Sequence, residues 1–118
     1  MTARQVNLTL ALLCALACVP SATAAQGLRM PTVAILIGNG LDLASTEIAL
    51  QRPTLRETNT VLGQSAPRRI LLKSAGTAAE VWMIRKLGPS HPKLALGLGL
   101  AIGAVTGGAG IHNLRLLR

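Results

Sequence analysis

Residues 94–111 read LALGLGLAIGAVTGGAGI, a run of eighteen residues that carries no charge. About eighteen apolar residues are just enough for a helix to cross the hydrocarbon core of a bilayer. Gly99, Gly103 and Gly107 recur every four residues, so they share one face on which a second backbone can approach closely. The run predicts a membrane helix with a glycine zipper, packed on the second helix of the chain or on the third helix of another copy.

The composition of the whole chain also suits helices in lipid. Half of the 118 residues are apolar, yet Trp82 is the single aromatic residue, whereas soluble cores usually rely on large rings. The formal net charge is +8, but the cations flank apolar runs and no aromatic residues alternate with them to stack on bases. We interpret the cations as markers of membrane-helix ends and expect no nucleic-acid partner.

The first residues have the pattern of a secretory signal peptide. Arg4 precedes an apolar stretch, residues 8–19, that is too short to span a bilayer comfortably. Ala22-Thr23-Ala24 fits the small-x-small cleavage rule, which predicts a signal peptide over 1–24 and a mature chain over 25–118. The alternatives are an uncleaved first membrane helix and a lipoprotein signal that ends at Cys18.

The sequence offers little for catalysis. Both cysteines, Cys14 and Cys18, lie in the predicted signal peptide, so the mature chain would have no thiol. The spacings His-x3-His, Glu-x2-His and Cys-x2-Cys do not occur, and no single motif supplies a nucleophile with its base. We therefore expect a protein that is not an enzyme and that has no metal and no cofactor.

After the signal peptide, prolines separate three helical segments. The helices are predicted over about 31–50, 69–87 and 94–114, with two prolines around each connection. The fold class is all-α, a small membrane bundle of three helices, or of four if the signal peptide is retained. Apolarity alone predicts membrane insertion only for the third helix. The charges in the first two helices bring their free energy of insertion close to zero.

The distribution of cations predicts a topology. Residues 51–73 and the C-terminal tail together hold seven Lys and Arg residues, against four on the other side of the predicted helices. The positive-inside rule then places the first connection and the C-terminus in the cytoplasm. A cleaved signal peptide puts the mature N-terminus outside, and three crossings from there also end inside.

Polar residues form a stripe on each of the first two predicted helices. Lys73, Thr77 and Glu80 share one face of the second helix, and Asp42 and Thr46 share one face of the first. Because ionisable groups in a bilayer usually face the bundle and find partners, we expect Asp42 to meet Lys73 directly or through the two threonines. Such a pair is either internal glue or an ion or proton site. In the remaining alternative, the side chains of Lys73 and Glu80 extend to opposite membrane surfaces.

Two further motifs have structural interpretations. His112-Asn113 closes the third helix, where a histidine could bind a metal or a proton but more often interacts with the helix C-terminus at the membrane boundary. Gly38-Asn39-Gly40 lacks the length and the lysine of a phosphate loop, so it predicts a kink or a point of close packing.

Four short motifs follow one another along the chain: Leu41-Asp42-x-x-Ser45-Thr46, Glu57-x-Asn59, Lys73 in the next helix, and His112-Asn113 at the end. This order resembles a group of small bacterial membrane proteins of unknown function. Their pattern is a helix with an aspartate and a threonine, an E-x-N-P turn and two more membrane helices. The resemblance covers about residues 41–113 and departs at Thr60, where the pattern has proline. It implies no activity, but it marks as residues to test Asp42, Thr46, Glu57, Asn59, Lys73, His112 and Asn113.

Together these observations predict a small bacterial inner-membrane protein with an exported N-terminus and a cytoplasmic C-terminus. The expected role is structural or accessory, with the lipid bilayer and a second copy or another membrane protein as partners. One alternative is a small oligomeric pore lined by Asp42, Lys73 and Glu80. Another is an exported, membrane-associated helical protein.

Overall fold

A computed structural model describes residues 29–118, so the predicted signal peptide lies outside the described residues. The described part contains three helices and no strand: α1, Arg29–Ala49; α2, Ala66–Leu87; and α3, Pro92–Arg115. This confirms the all-α class and the three predicted helical segments for residues 29–118.

All three helices begin two or three residues earlier than predicted, and in α2 and α3 proline is the reason. Helix α2 starts at Ala66 rather than 69, with Ser65 in an extended N-cap conformation and Pro67 in the first turn. Helix α3 starts at Pro92 rather than 94. Proline fits the first turn because its fixed φ is helical and its missing N–H would have no intrahelical partner there. Pro67 and Pro92 therefore lie in the first turns of helices, whereas they were predicted to lie in the connections.

Helices α1 and α3 run parallel and make the closest contact in the bundle. A Cβ added to Gly99 would lie 2.8 Å from the Cα of Pro31, and a Cβ added to Gly103 would lie 2.5 Å from the carbonyl oxygen of Ala34. At Gly38 an added Cβ would meet the carbonyl oxygen of Gly103. Only glycine therefore allows these two backbones to approach each other this closely.

The glycine face of α3 packs on α1 of the same chain, which differs from both predicted partners. Gly110 also belongs to this face, since its added Cβ would lie 2.9 Å from the backbone nitrogen of Asp42. Gly107 is looser, with an added Cβ 3.7 Å from the Cα of Gly38. Residues four apart advance by about 40° around a helix, so the third glycine has drifted off the contact and a three-residue step returns to it.

Helix α2 lies antiparallel to the other two and turns a largely polar face toward them. Its residues in contact with the bundle are Arg69, Lys73, Thr77 and Glu80, followed by Ile84 one turn later. A small apolar core of Ile84, Ile35 and Ala95 closes the end of the bundle where α2 runs into α3. The opposite end, which holds the connection between α1 and α2, is polar inside.

Large apolar side chains cover much of the outer surface. Trp82 is 63% exposed, Leu71 67% and Val105 73%. Of the three helices, α3 is the one that is both long and apolar enough to cross a membrane, judged by length and composition. The bundle thus has apolar side chains outside and several charged ones inside.

A candidate polar pocket at the loop end of the bundle

The ion pair predicted from the two polar stripes is present between α1 and α2. The Nζ of Lys73 lies 2.7 Å from Oδ2 of Asp42 and donates a second hydrogen bond, 3.0 Å long, to Oγ1 of Thr46. Thr77 has a different role from the one considered in the sequence, because its hydroxyl donates to the carbonyl oxygen of Lys73 in its own helix. One lysine therefore ties two turns of α1 to α2.

Asn113 brings the end of α3 into the same cluster. Its side-chain nitrogen donates to Oγ1 of Thr46 at 2.9 Å and lies 3.3 Å from Oδ1 of Asp42. The hydroxyl of Ser45 lies 3.4 Å from the same nitrogen. The Asp42 carboxylate is consequently bound on one oxygen by α2 and on the other by α3, so all three helices meet at this side chain.

A second ion pair, which the sequence analysis missed, lies one turn closer to the loop. Arg69 holds Glu47 with two hydrogen bonds, Nε to Oε1 at 2.8 Å and Nη2 to Oε2 at 2.9 Å. Both residues are 4% exposed, and Nη1 of Arg69 also donates to the carbonyl oxygen of Gly63. Bidentate arginine–carboxylate geometry is among the strongest charge-assisted contacts. This pair fixes the loop as well as the two helices.

The register of the antiparallel helices could have revealed this pair. Once Lys73 is placed against Asp42, moving one turn toward the loop along α1 brings Glu47 level with the residues about one turn earlier in α2. Arg69 lies there. The stripe pattern relates only residues that share the Asp42 face, and Glu47 lies on a different side of that helix.

The connection between α1 and α2 is organised by the Glu57 and Asn59 side chains. Oε1 of Glu57 accepts from the backbone nitrogen of Asn59 at 2.9 Å, and Oδ1 of Asn59 accepts from the backbone nitrogen of Val61 at 3.0 Å. The side chain of Gln64 closes the loop by donating to the carbonyl oxygen of Glu57. These side chains order the turn although Thr60 stands where the resembling group has proline.

Between this loop and the ends of the three helices lies a pocket of about 530 Å³. Its wall includes all seven residues that the resemblance marked, although they come from four separate segments of the chain. Apolar side chains form part of the remaining lining. The pocket is lined by Asp42, Thr46, Ala49, Leu50, Leu55, Arg56, Glu57, Thr58, Asn59, Leu62, Lys73, His112, Asn113 and Leu116.

Two residues of the predicted stripes, Thr77 and Glu80, do not line the pocket. Oε2 of Glu80 accepts from the side-chain nitrogen of Asn39 at 2.7 Å, near the middle of the bundle. Asn39 also donates to the carbonyl oxygen of Ile35. The Gly38-Asn39-Gly40 segment is therefore a point of close packing with a polar contact, and α1 continues through it.

The pocket combines charged, polar and apolar side chains in its lining. Throughout residues 29–118, every buried side-chain nitrogen or oxygen has a hydrogen-bond partner. In the same range no three His, Cys, Asp or Glu side chains converge as metal ligands. The polar side chains of the lining are thus ordered by contacts within the protein. No family model, curated protein or solved structure matches this chain.

Proposed function

We propose that this chain is a small integral membrane protein that crosses the bilayer three times and serves as a structural or accessory subunit without catalysis of its own. The observation that carries the proposal is the inverted distribution of side chains. Glu47 and Arg69 are buried, whereas Trp82, Leu71 and Val105 face outward. In water, charged side chains favour the surface and apolar side chains favour the interior. In lipid both preferences are reversed, as in this bundle.

The lengths of the helices support three crossings. The helices contain 21, 22 and 24 residues, which corresponds to about 32–36 Å at 1.5 Å per residue. The hydrocarbon core of a bilayer is about 30 Å thick. In α3 only 22% of the apolar window is buried within the bundle, whereas the core helix of a soluble protein would be mostly covered.

The paired charges explain how α1 and α2 could remain in lipid. A charge near the centre of a membrane helix costs about 2.5–3.5 kcal/mol on the insertion scale. Within the bundle Asp42 and Glu47 each meet a cation of α2, so neither carboxylate would face lipid alone. This contact supports insertion of the two weaker helices as a folded pair.

The same contacts favour an accessory role over a pore. A pore would need Asp42, Lys73 and Glu80 to line a water-filled path shared between copies. Each of the three instead makes a hydrogen bond to another helix of the same chain. These hydrogen bonds join helices of one chain, which supports the role of internal glue.

Alkaline extraction of membranes tests this proposal. We expect the protein to stay in the membrane pellet at high pH, as an integral protein does, while a peripheral marker protein is released. Release of this chain with the marker would contradict the proposal and favour the exported, membrane-associated alternative. Purified protein in liposomes should give no ion conductance above that of empty liposomes, and a reproducible conductance would favour the pore.

A further inference from the structure

We propose that the polar pocket at the loop end of the bundle binds the phosphate-bearing headgroup of an anionic phospholipid. The inference rests on the proposed function, because a lipid can reach the pocket only if the bundle lies in a bilayer. The inference names the class of ligand that the pocket would bind. Three observations carry it: the exposed arginines, the donor available on the pocket wall and the leucines of the pocket lining.

Five exposed arginines, which we call the arginine rim, stand at the end of the bundle that contains the pocket. Two of the three acids at this end, Asp42 and Glu47, are already bound to cations of α2. Seven Lys and Arg against three acids leave a side-chain charge of +4 at this end. The rim consists of Arg52, Arg56, Arg68, Arg115 and Arg118.

The rim is connected to the pocket by two of its members. Arg56 is part of the pocket wall. Arg52 donates to the carbonyl oxygen of Leu117, next to the pocket residue Leu116, and so joins the loop to the end of α3. Arginine suits phosphate because its planar guanidinium can bind two oxygens at once. Clusters of four to eight basic residues beside a membrane helix are typical of anionic-lipid binding.

The polar wall has a donor available for a phosphate oxygen. An ammonium group has three protons, and the Nζ of Lys73 uses two of them on Asp42 and Thr46. The two carboxylates of the wall are each held by donors of the protein. Asp42 accepts from Lys73 and lies near Asn113, and Glu57 accepts from the backbone of Asn59. Their repulsion of an anion is reduced accordingly.

The apolar wall favours a lipid over a free phosphate ester. Four leucines, Leu50, Leu55, Leu62 and Leu116, border the same cavity as the charged groups. A small soluble phosphate would leave this surface without a contact. The glycerol and the first acyl carbons of a phospholipid would cover it, since apolar area removed from water stabilises a complex. A volume of about 530 Å³ accommodates a headgroup together with the start of a chain.

The test measures binding to the full chain purified in a neutral detergent. The probes are dihexanoyl phosphatidylglycerol, dihexanoyl phosphatidylcholine and glycerol 3-phosphate, each followed by native mass spectrometry and by the shift in Tm. The first variant is Arg56→Gln, in the pocket wall. The matched control is Lys93→Gln, which removes one exposed cation at the opposite end of the bundle. Because both variants lose one charge, they separate a local contact from overall charge.

We expect phosphatidylglycerol to bind about tenfold more tightly than phosphatidylcholine, and Arg56→Gln to lose about tenfold, as a charge-assisted contact implies. Lys93→Gln should bind as the unmodified chain does. Glycerol 3-phosphate that binds as tightly as the lipid would overturn the lipid proposal and indicate a soluble phosphate ester. Equal losses in the two variants would overturn the pocket as the site and indicate attraction by net charge.

Alkaline extraction of membranes, combined with the binding measurement, separates this inference from the proposed function. A chain that resists alkaline extraction but binds both lipids equally would overturn the inference and leave the proposed function intact. A chain released by alkali would overturn the proposed function, and the lipid proposal with it.

Discussion

At the scale of single residues, the cohesion of the bundle depends on a few charged side chains. Lys73 contacts both Asp42 and Thr46, and Arg69 contacts both Glu47 and Gly63. A buried ion pair is weak evidence for stability by itself, because desolvation offsets much of the attraction. Removing one partner is a different matter, since the remaining charge is then left without compensation.

Lys73→Met should therefore destabilise the protein, and a second change should restore it. The single variant leaves the Asp42 carboxylate in a low-dielectric environment without its cation, which we expect to cost about 3–5 kcal/mol. Asp42→Asn combined with Lys73→Met removes both charges and should recover most of the loss. Thermal unfolding in detergent and steady-state abundance in the membrane measure the effect.

Arg69→Met provides the comparison for this experiment. The side chains of Arg69 and Glu47 are 5% and 3% exposed, against 17% and 18% for Lys73 and Asp42. The more deeply buried pair should lose more stability when its cation is removed, because less water can reach the stranded carboxylate. Losses that simply add in the Asp42 and Lys73 double variant would contradict the energetic coupling of that pair.

The sequence predicted one of the two ion pairs because the stripe pattern relates residues on one helix face. Asp42 and Lys73 each lie on such a stripe. Predicting the pair of Glu47 and Arg69 requires knowing the register between two helices. The periodicity of residues within one helix does not give that register. The contact of Asn113 with Thr46 is harder still, because it depends on where α3 ends relative to α1.

At the scale of elements, the strongest structural feature is the parallel contact between α1 and α3. The two helices approach through glycine, so their attraction comes from close backbone packing. Gly99 lies against Pro31, Gly103 against Ala34 and Gly110 against Asp42. With the looser contact between Gly107 and Gly38 included, consecutive contacts are three or four residues apart on both helices, which keeps one face of each helix in the interface.

Gly103→Ile should disrupt this contact, whereas Gly97→Ile should not. An added Cβ at Gly103 would lie 2.5 Å from the carbonyl oxygen of Ala34, a backbone atom that cannot easily move. Overpacking of this kind typically costs about 1–3 kcal/mol. At Gly97 an added Cβ has open space within 4 Å. Thermal unfolding of the purified variants and their half-lives in cells compare the two.

The two glycine variants carry the same added side chain, so insertion and hydrophobicity are matched. Equal stability of Gly103→Ile and Gly97→Ile would contradict the packing role of the glycine face. A loss confined to oligomers, with an unchanged monomer, would indicate that the face contacts another copy rather than α1.

The sequence predicted the glycine face but not its partner. The four-residue spacing marks Gly99 and Gly103 as a face of α3 in any environment. The choice of α1 depends on Gly38 and Ala34, small residues whose register with α3 appears only in three dimensions. Gly107 makes the loosest of the three predicted contacts, because a four-residue repeat drifts by about 40° per step around a straight helix.

At the scale of the whole molecule, the two ends of the bundle differ in chemistry. The end with the turn between α2 and α3 has the apolar core of Ile35, Ile84 and Ala95. The end with the α1–α2 connection has the ion pairs, the pocket and the arginine rim. An orientation in the membrane would therefore also decide on which side of the bilayer the pocket opens.

The topology predicts that the pocket faces the cytoplasm, and reporter fusions can measure it. Seven cations flank the pocket end and four flank the other, and positively charged ends are retained inside during insertion. An enzyme that is active only outside the membrane should be silent when fused after Arg118 and active when inserted near Ser90, in the turn between α2 and α3. A fluorescent reporter that matures only in the cytoplasm should give the reciprocal result. The opposite pattern in both reporters would contradict the orientation and place the arginine rim against the outer leaflet.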